Sequence, residues 1–250
     1  MRKLLILSSL AALLVACTHD KDPFEAYRSQ PESVLFQQAT NELQKGHYRD
    51  AISTLEALDA IYPFGPHAEE AVVDSIYAYY MDEEDVMALA ASDRYIHLYP
   101  RGPYADYAYY MKGVVSFQVG LNWLQRKAGA DPAERDEKHL REAFWSFNEL
   151  IERFPTSPYY NDSILRMRYI RNAMAKHEMI AAQFYFNKRA YVAATNRTNF
   201  VIQHFEKSPY VIKALIINIK AYRELNLSEL AEENLRVLEA SYPQAAKSLR

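Results

Sequence analysis

The residues of this chain that could do chemistry are one thiol, seven histidines and 32 carboxylates. The histidines (19, 47, 67, 97, 139, 177 and 204) stand twenty or more residues apart. None has the close spacing that two ligands on one helix need to hold zinc. Among the acids, the run Asp82-Glu83-Glu84-Asp85 falls between two helical patterns. Acids there favour the N-terminus of the second helix through its macrodipole, so the run reads as a solvated turn. A glycosidase-like pair would instead need one carboxyl in an apolar environment. The six glycines are never two, four or five apart, which excludes a dinucleotide fingerprint, a nucleophile elbow and a phosphate loop. The chain is expected to be a binding protein with no cofactor, no metal and no catalytic residue.

Cys17, the single thiol, ends the tetrad Leu14-Val15-Ala16-Cys17. Before it come the basic Met1-Arg2-Lys3 and an apolar run from Leu4 to Ala16, broken only by Ser8 and Ser9. That run is short of the ~20 residues needed to span a hydrocarbon core, so residues 1–16 read as a secretory signal. The tetrad resembles the bacterial lipobox, which implies cleavage after Ala16 and acylation of Cys17. Two or more acyl chains, at about 0.8 kcal/mol per buried methylene, hold a protein on a bilayer. Thr18 in place of Asp points to the outer membrane, on its periplasmic face. With Cys17 lipidated no disulfide remains, and stability must come from a packed core. Without Arg2 and Lys3 the chain carries 27 basic and 32 acidic side chains, too mild an imbalance to suggest nucleic acid.

The elements that must position any binding residue come from a repeat. Ile61-Tyr-Pro-Phe-Gly-Pro-His-Ala68 reappears as Leu98-Tyr-Pro-Arg-Gly-Pro-Tyr-Ala105. Weaker copies are Arg153-Phe-Pro-Thr-Ser-Pro-Tyr159, His204-Phe-Glu-Lys-Ser-Pro-Tyr210 and Ser241-Tyr-Pro243. Each follows an alanine, at 51, 88, 143, 194 and 231, by about a dozen residues. Within the first unit Leu35, Ala39 and Leu43 share a helical face, and Ala51, Ile52, Leu55 and Leu58 form a second. A small residue at 51 allows close helix approach, and Pro63 ends the second helix. The spacing Gly46, Tyr48, Ala51, Pro63 resembles half of a tetratricopeptide repeat. The fold class is therefore all-α, a right-handed superhelical solenoid of five tetratricopeptide-like helical hairpins. They cover about 33–64, 67–101, 103–156 (with an insertion at 119–137), 159–207 and 209–244, within one solenoid over 32–250. Residues 17–31 are expected as a flexible tether. Ser163 to Lys188 is helical by pattern, either as one helix or as two with a break near His177.

Tyrosine and arginine, both enriched at interface hot spots, recur along the chain. Arg197 stands among small or polar neighbours (Thr195, Asn196, Thr198 and Asn199) and is expected to project.

In their order, several stretches resemble the BamD family (ComL in some bacteria), lipoproteins of the outer-membrane β-barrel assembly (BAM) machinery. They are Ala91-Ser-Asp-Arg-Tyr-Ile-His-Leu-Tyr-Pro100, Asp106-Tyr-Ala-Tyr-Tyr-Met-Lys-Gly113, the residues Arg135, Asp136, His139, Ala143, Phe144, Phe147 and Leu150, then Ala175-Lys-His-Glu178, Tyr185 and Arg189 to Arg197. The resemblance implies a non-enzymatic scaffold whose C-terminal repeats dock on the POTRA domains of BamA, with Asn196 and Arg197 on that side. It also implies contact with other BAM lipoproteins and, through the N-terminal repeats, with C-terminal segments of unfolded outer-membrane β-barrel proteins. Candidates for lining that substrate groove are Tyr62, Phe64, Arg94, Tyr95 and Tyr99. Tyr99 and Arg101-Gly102 depart from the polar residues usual in the family. An alternative is a repeat lipoprotein that regulates a peptidoglycan synthase. A murein-cleaving enzyme would need a further domain, for which the five repeats leave no room.

Overall fold

The computed structural model describes residues 22–119, 121, 125, 128–134 and 136–247. These contain helices and turns, with no strand among the described residues. Cys17 and the apolar run before it lie outside them. The chain forms two compact units, Met1–Ala78 and Tyr79–Arg250.

The first unit holds α1 (Glu32–Gln44), α2 (Tyr48–Ile61) and most of α3 (Ala68–Met81). Leu35, Ala39, Leu55, Leu58, Ala71 and Ala78 make its core, with Phe36, Leu43, Ile52 and Tyr62 packed around it. Residues 22–30 run in successive turns, with Arg28 paired to Asp22 at 2.6 Å. Tyr27 packs on the core, and the Tyr62 hydroxyl donates to the Gln30 carbonyl at 2.7 Å. This part of the expected tether is thus laid against the first hairpin.

The second unit continues with α4 (Asp85–Leu98), α5 (Ala105–Gln118), α6 (Glu137–Arg153), α7 (Tyr160–Asn187), α8 (Tyr191–His204), α9 (Val211–Glu224), α10 (Ser228–Ser241) and the short α11 (Pro243–Ala246). Helices adjacent in sequence pack on one another, and one apolar core runs from Val114 to Ala246. Ala143, Ala194 and Ala231 are buried between paired helices, as is Ala51 in the first unit, and Ala88 is buried as well. Gly113 serves the same purpose, since a Cβ on it would stand 2.7 Å from the Phe147 ring.

Four hairpin turns share one closure. The backbone N–H groups of His47, Glu84, Ala190 and Leu227 each donate back to the carbonyl five residues earlier, at 2.9–3.0 Å. The residue before each has positive φ: Gly46 (75°), Glu83 (63°), Arg189 (60°) and Asn226 (59°). This is the Schellman closure, in which the left-handed residue ends one helix and aims the next. At the other end of each hairpin the helix stops on an aromatic residue with φ near −130°: Tyr62, Tyr99, Phe154, Phe205 and Tyr242. Proline follows four of them. Phe205 precedes Glu206 and has the same geometry, so proline reinforces this stop without being required for it.

The question left open over residues 163–188 has one answer: α7 is a single helix of 28 residues, about 42 Å long. Its added turns receive the end of the insertion, a 3-10 turn over Pro132–Glu134 with Pro132 and Ala133 buried. Lys176 pairs with Asp131, and His177 Nδ1 meets the Ala133 carbonyl at 2.8 Å.

Candidate partner-binding sites

Each unit carries one candidate site. In the second unit α8 is fixed from below by an amide seam. Asn218, fully buried on α9, donates to Asn199 Oδ1 at 2.6 Å and Asn234 Oδ1 at 3.2 Å, and its own oxygen meets the Thr198 hydroxyl. Asn199 donates in turn to the Tyr222 hydroxyl at 3.0 Å. A fully satisfied polar network of this kind allows only one seating of the helix. It leaves Asn196 and Arg197 exposed on the outer side.

Arg197 is exposed and also paired across helices. Its Nη1 donates to both oxygens of Glu178 on α7, at 3.1 and 3.2 Å. The Glu178 side chain is 6% exposed and that of Arg197 47%. Hydrogen bonding to Glu178 and its negative charge hold the guanidinium above its ordinary pKa, against the opposing effect of burial. The reason is electrostatic: a carboxylate this deep needs a counter-charge. Arg197 therefore does two things, neutralising Glu178 and offering the remainder of its planar fork to solvent, where a partner carboxylate could meet it.

In the first unit a groove of about 910 Å³ runs along α1, lined by Ser33, Val34, Phe36, Gln37, Gln38, Thr40, Asn41, Gln44 and His67. It adjoins a second hollow of about 680 Å³ through Phe36, Thr40 and Gln44, which line both. Gln37, Asn41 and Gln44 are exposed, with side chains unbonded within the described residues, at the i, i+4, i+7 spacing of one helical face. A side-chain amide both donates and accepts, so this row can hydrogen-bond to the main chain of an extended polypeptide whatever its sequence. Phe36 supplies the apolar floor, stacked on His67 at 4.5 Å. His67 is set by Glu32, whose Oε1 accepts from the His67 backbone N–H at 2.8 Å. The Glu32 carboxylate occupies the space a Cβ on Gly65 would take, 2.3 Å away.

The groove candidates named from sequence are placed differently. Tyr95 is fully buried, its hydroxyl accepting from the Tyr104 N–H at 3.1 Å. It lies in the core. Tyr99, half-buried, packs on it with ring centres 5.3 Å apart. Arg94 is exposed on α4, and Phe64 is 98% exposed in the turn before α3. Tyr62 is a half-buried support of the first core. None of the five lines either hollow. Of the residues that do, Gln37, Asn41 and Gln44 form the uncharged polar face of α1 opposite Leu35 and Ala39, which in the sequence alone marks only a solvated helix side. Among the described residues no group of three or more His, Cys, Asp or Glu side chains could hold a metal ion, and no helix is long and apolar enough to cross a membrane.

Comparison with known proteins adds a family. Residues 28–246 match the YfiO family, described as "Outer membrane lipoprotein". The "Outer membrane protein assembly factor BamD" of Neisseria meningitidis serogroup B is 38% identical over 98% of this chain and 93% of its own. The protein of the same name from Neisseria gonorrhoeae is 38% identical over the same shares. That of Pasteurella multocida is 32% identical over 92% of this chain and 87% of its own.

Proposed function

The chain belongs to the BamD family of outer membrane protein assembly factors, and from that premise we propose that it is a lipid-anchored, non-enzymatic component of the outer-membrane β-barrel assembly machinery. Acylated Cys17 holds it to the periplasmic face of the outer membrane. The C-terminal hairpins dock on the POTRA domains of BamA, with Asn196 and the solvent-facing edge of Arg197 at the contact, and other BAM lipoproteins join the assembly. The groove of the first unit receives extended segments of unfolded outer-membrane proteins before they enter the barrel machinery.

The observation that carries the substrate half of this reading is the row Gln37, Asn41 and Gln44 over the Phe36 floor. A machine that accepts many barrel proteins must hold strand-like chain without demanding one sequence, and free side-chain amides bind the main chain. The test is a mild-detergent pull-down of the tagged full-length lipoprotein, with mass spectrometry of the eluate. A stoichiometric POTRA-bearing barrel protein supports the reading. A cell-wall synthase in its place overturns it in favour of synthase regulation.

A further inference from the structure

The hollow that adjoins the amide-lined groove has a different chemistry. On α3, Glu70, Asp74 and Tyr77 follow one another at i, i+4, i+7 and so share a face. Across from them α1 contributes Phe36, Thr40 and Leu43, while Tyr48 stands edge-on to Tyr77 with ring centres 6.0 Å apart. Neither carboxylate makes a hydrogen bond or ion pair among the described residues. Lys45 lines the same hollow from the exposed turn at the Gly46 end, and it pairs with neither carboxylate. Asp74 is half-buried, and burial with the neighbouring Glu70 charge pushes its carboxyl up to about 6. The other titratable groups along the combined groove are Tyr48 and Tyr77 at this end and His67 with Glu32 at the far end.

Two like charges held together beside aromatic rings, with no cation paired to either, are complementary to a cationic side chain. We propose that this end of the groove takes a lysine or arginine of the extended segment, its charge between Glu70 and Asp74 and its aliphatic stem along Phe36 and the tyrosine rings. The amide row holds main chain without regard to sequence, and the carboxylate pair sets the register by one basic residue. A long basic side chain suits the place, because its stem is apolar and its head charged, and the tyrosine faces add cation–π attraction. This inference rests on the reading of the groove as a receptor for polypeptide.

The test uses the full chain in detergent and two fluorescein-labelled peptides of alternating aromatic and polar residues. They are identical except for a central lysine in one and glutamine in the other. By fluorescence anisotropy at pH 7.5 the lysine peptide binds about tenfold more tightly, as a charge-assisted contact would give. That preference falls at pH 5, where Asp74 is largely protonated, and in Asp74→Asn and Glu70→Gln at pH 7.5, while affinity for the glutamine peptide stays unchanged. Thermal unfolding shows Asp74→Asn folded and at least as stable as the parent chain, which separates lost selectivity from lost structure. Equal affinity for the two peptides, or a lysine preference that survives in both variants, overturns the cation site and leaves the groove reading standing. Failure of both peptides to bind overturns the groove reading and the cation site together.

Discussion

Replacing Arg197 by alanine removes two things at once, a surface cation and the charge that neutralises Glu178. The Glu178 side chain is 6% exposed, and both its oxygens take hydrogen bonds from Arg197 Nη1. Breaking a fully buried ion pair from one side costs about 3–5 kcal/mol. Here half of the guanidinium is already in water, and water can enter the space it leaves, so the expected cost is about 1–3 kcal/mol. At roughly 2–4 °C per kcal/mol for a domain of this size, that lowers the melting temperature by about 2–12 °C. Glu178→Gln alone leaves Arg197 solvated and keeps an amide oxygen that can accept from it, so it costs under about 1 kcal/mol. The double variant Glu178→Gln/Arg197→Ala recovers most of the loss, giving a coupling of at least about 1 kcal/mol in a double-mutant cycle. Circular dichroism melts of the four proteins measure this. Unchanged melting of Arg197→Ala, or additive losses in the double variant, would refute the claim that the arginine is held by an unscreened carboxylate. The cycle also bears on function. Lost copurification with BamA in Arg197→Ala alone would mix unfolding with a missing contact, whereas the double variant keeps the fold and removes the surface cation together with the buried charge that it neutralises.

Asp74→Asn is expected to stabilise the first unit at neutral pH. The folded carboxyl, raised to about 6 from an ordinary value of 3.8, prefers its proton. Stability from that preference is complete below about 4 and lost as pH rises through 6, so ionisation at pH 7 costs about 1–2 kcal/mol once partial exposure is allowed for. The urea midpoint of Asp74→Asn therefore lies above that of the parent chain at pH 7, and the gap closes towards pH 4; the opposite order would show that the carboxylate is compensated. Gly113→Ala forces the Phe147 ring away from its present position and lowers stability by about 1–3 kcal/mol in denaturant titration. Glu83→Gly relieves a left-handed residue whose side chain makes no bond among the described residues, and raises stability by about 1 kcal/mol in the same assay.

What is legible in the sequence is what local chemistry writes there. The buried alanines at 51, 88, 143, 194 and 231 mark every hairpin, and the prolines after Tyr62, Tyr99, Phe154 and Tyr242 mark four of the helix stops. Close approach and helix termination act through one or two residues, so the letters suffice. The turns at Glu83 and Arg189 are hidden, since neither residue type announces positive φ. Tyr95 and Tyr99 look alike as letters, and only the packing of α4 sends one into the core and the other to its edge. The groove is hidden for a similar reason. Gln37, Asn41 and Gln44 look like any solvated helix face until α3 is set beside α1. Arg197 stands out as a candidate, but its partner Glu178 lies nineteen residues earlier on another helix, and pairing across helices is a property of the fold.

Photo-crosslinking in growing cells tests the division of labour most directly, with the crosslinking residue placed at Asn41 in one strain and at Asn196 in another. Asn196 is expected to capture one POTRA-bearing barrel protein whether or not protein synthesis continues. Asn41 captures many outer-membrane proteins, and only while they are being made. Capture of the same partner from both positions, or of a cell-wall synthase from Asn196, would contradict it.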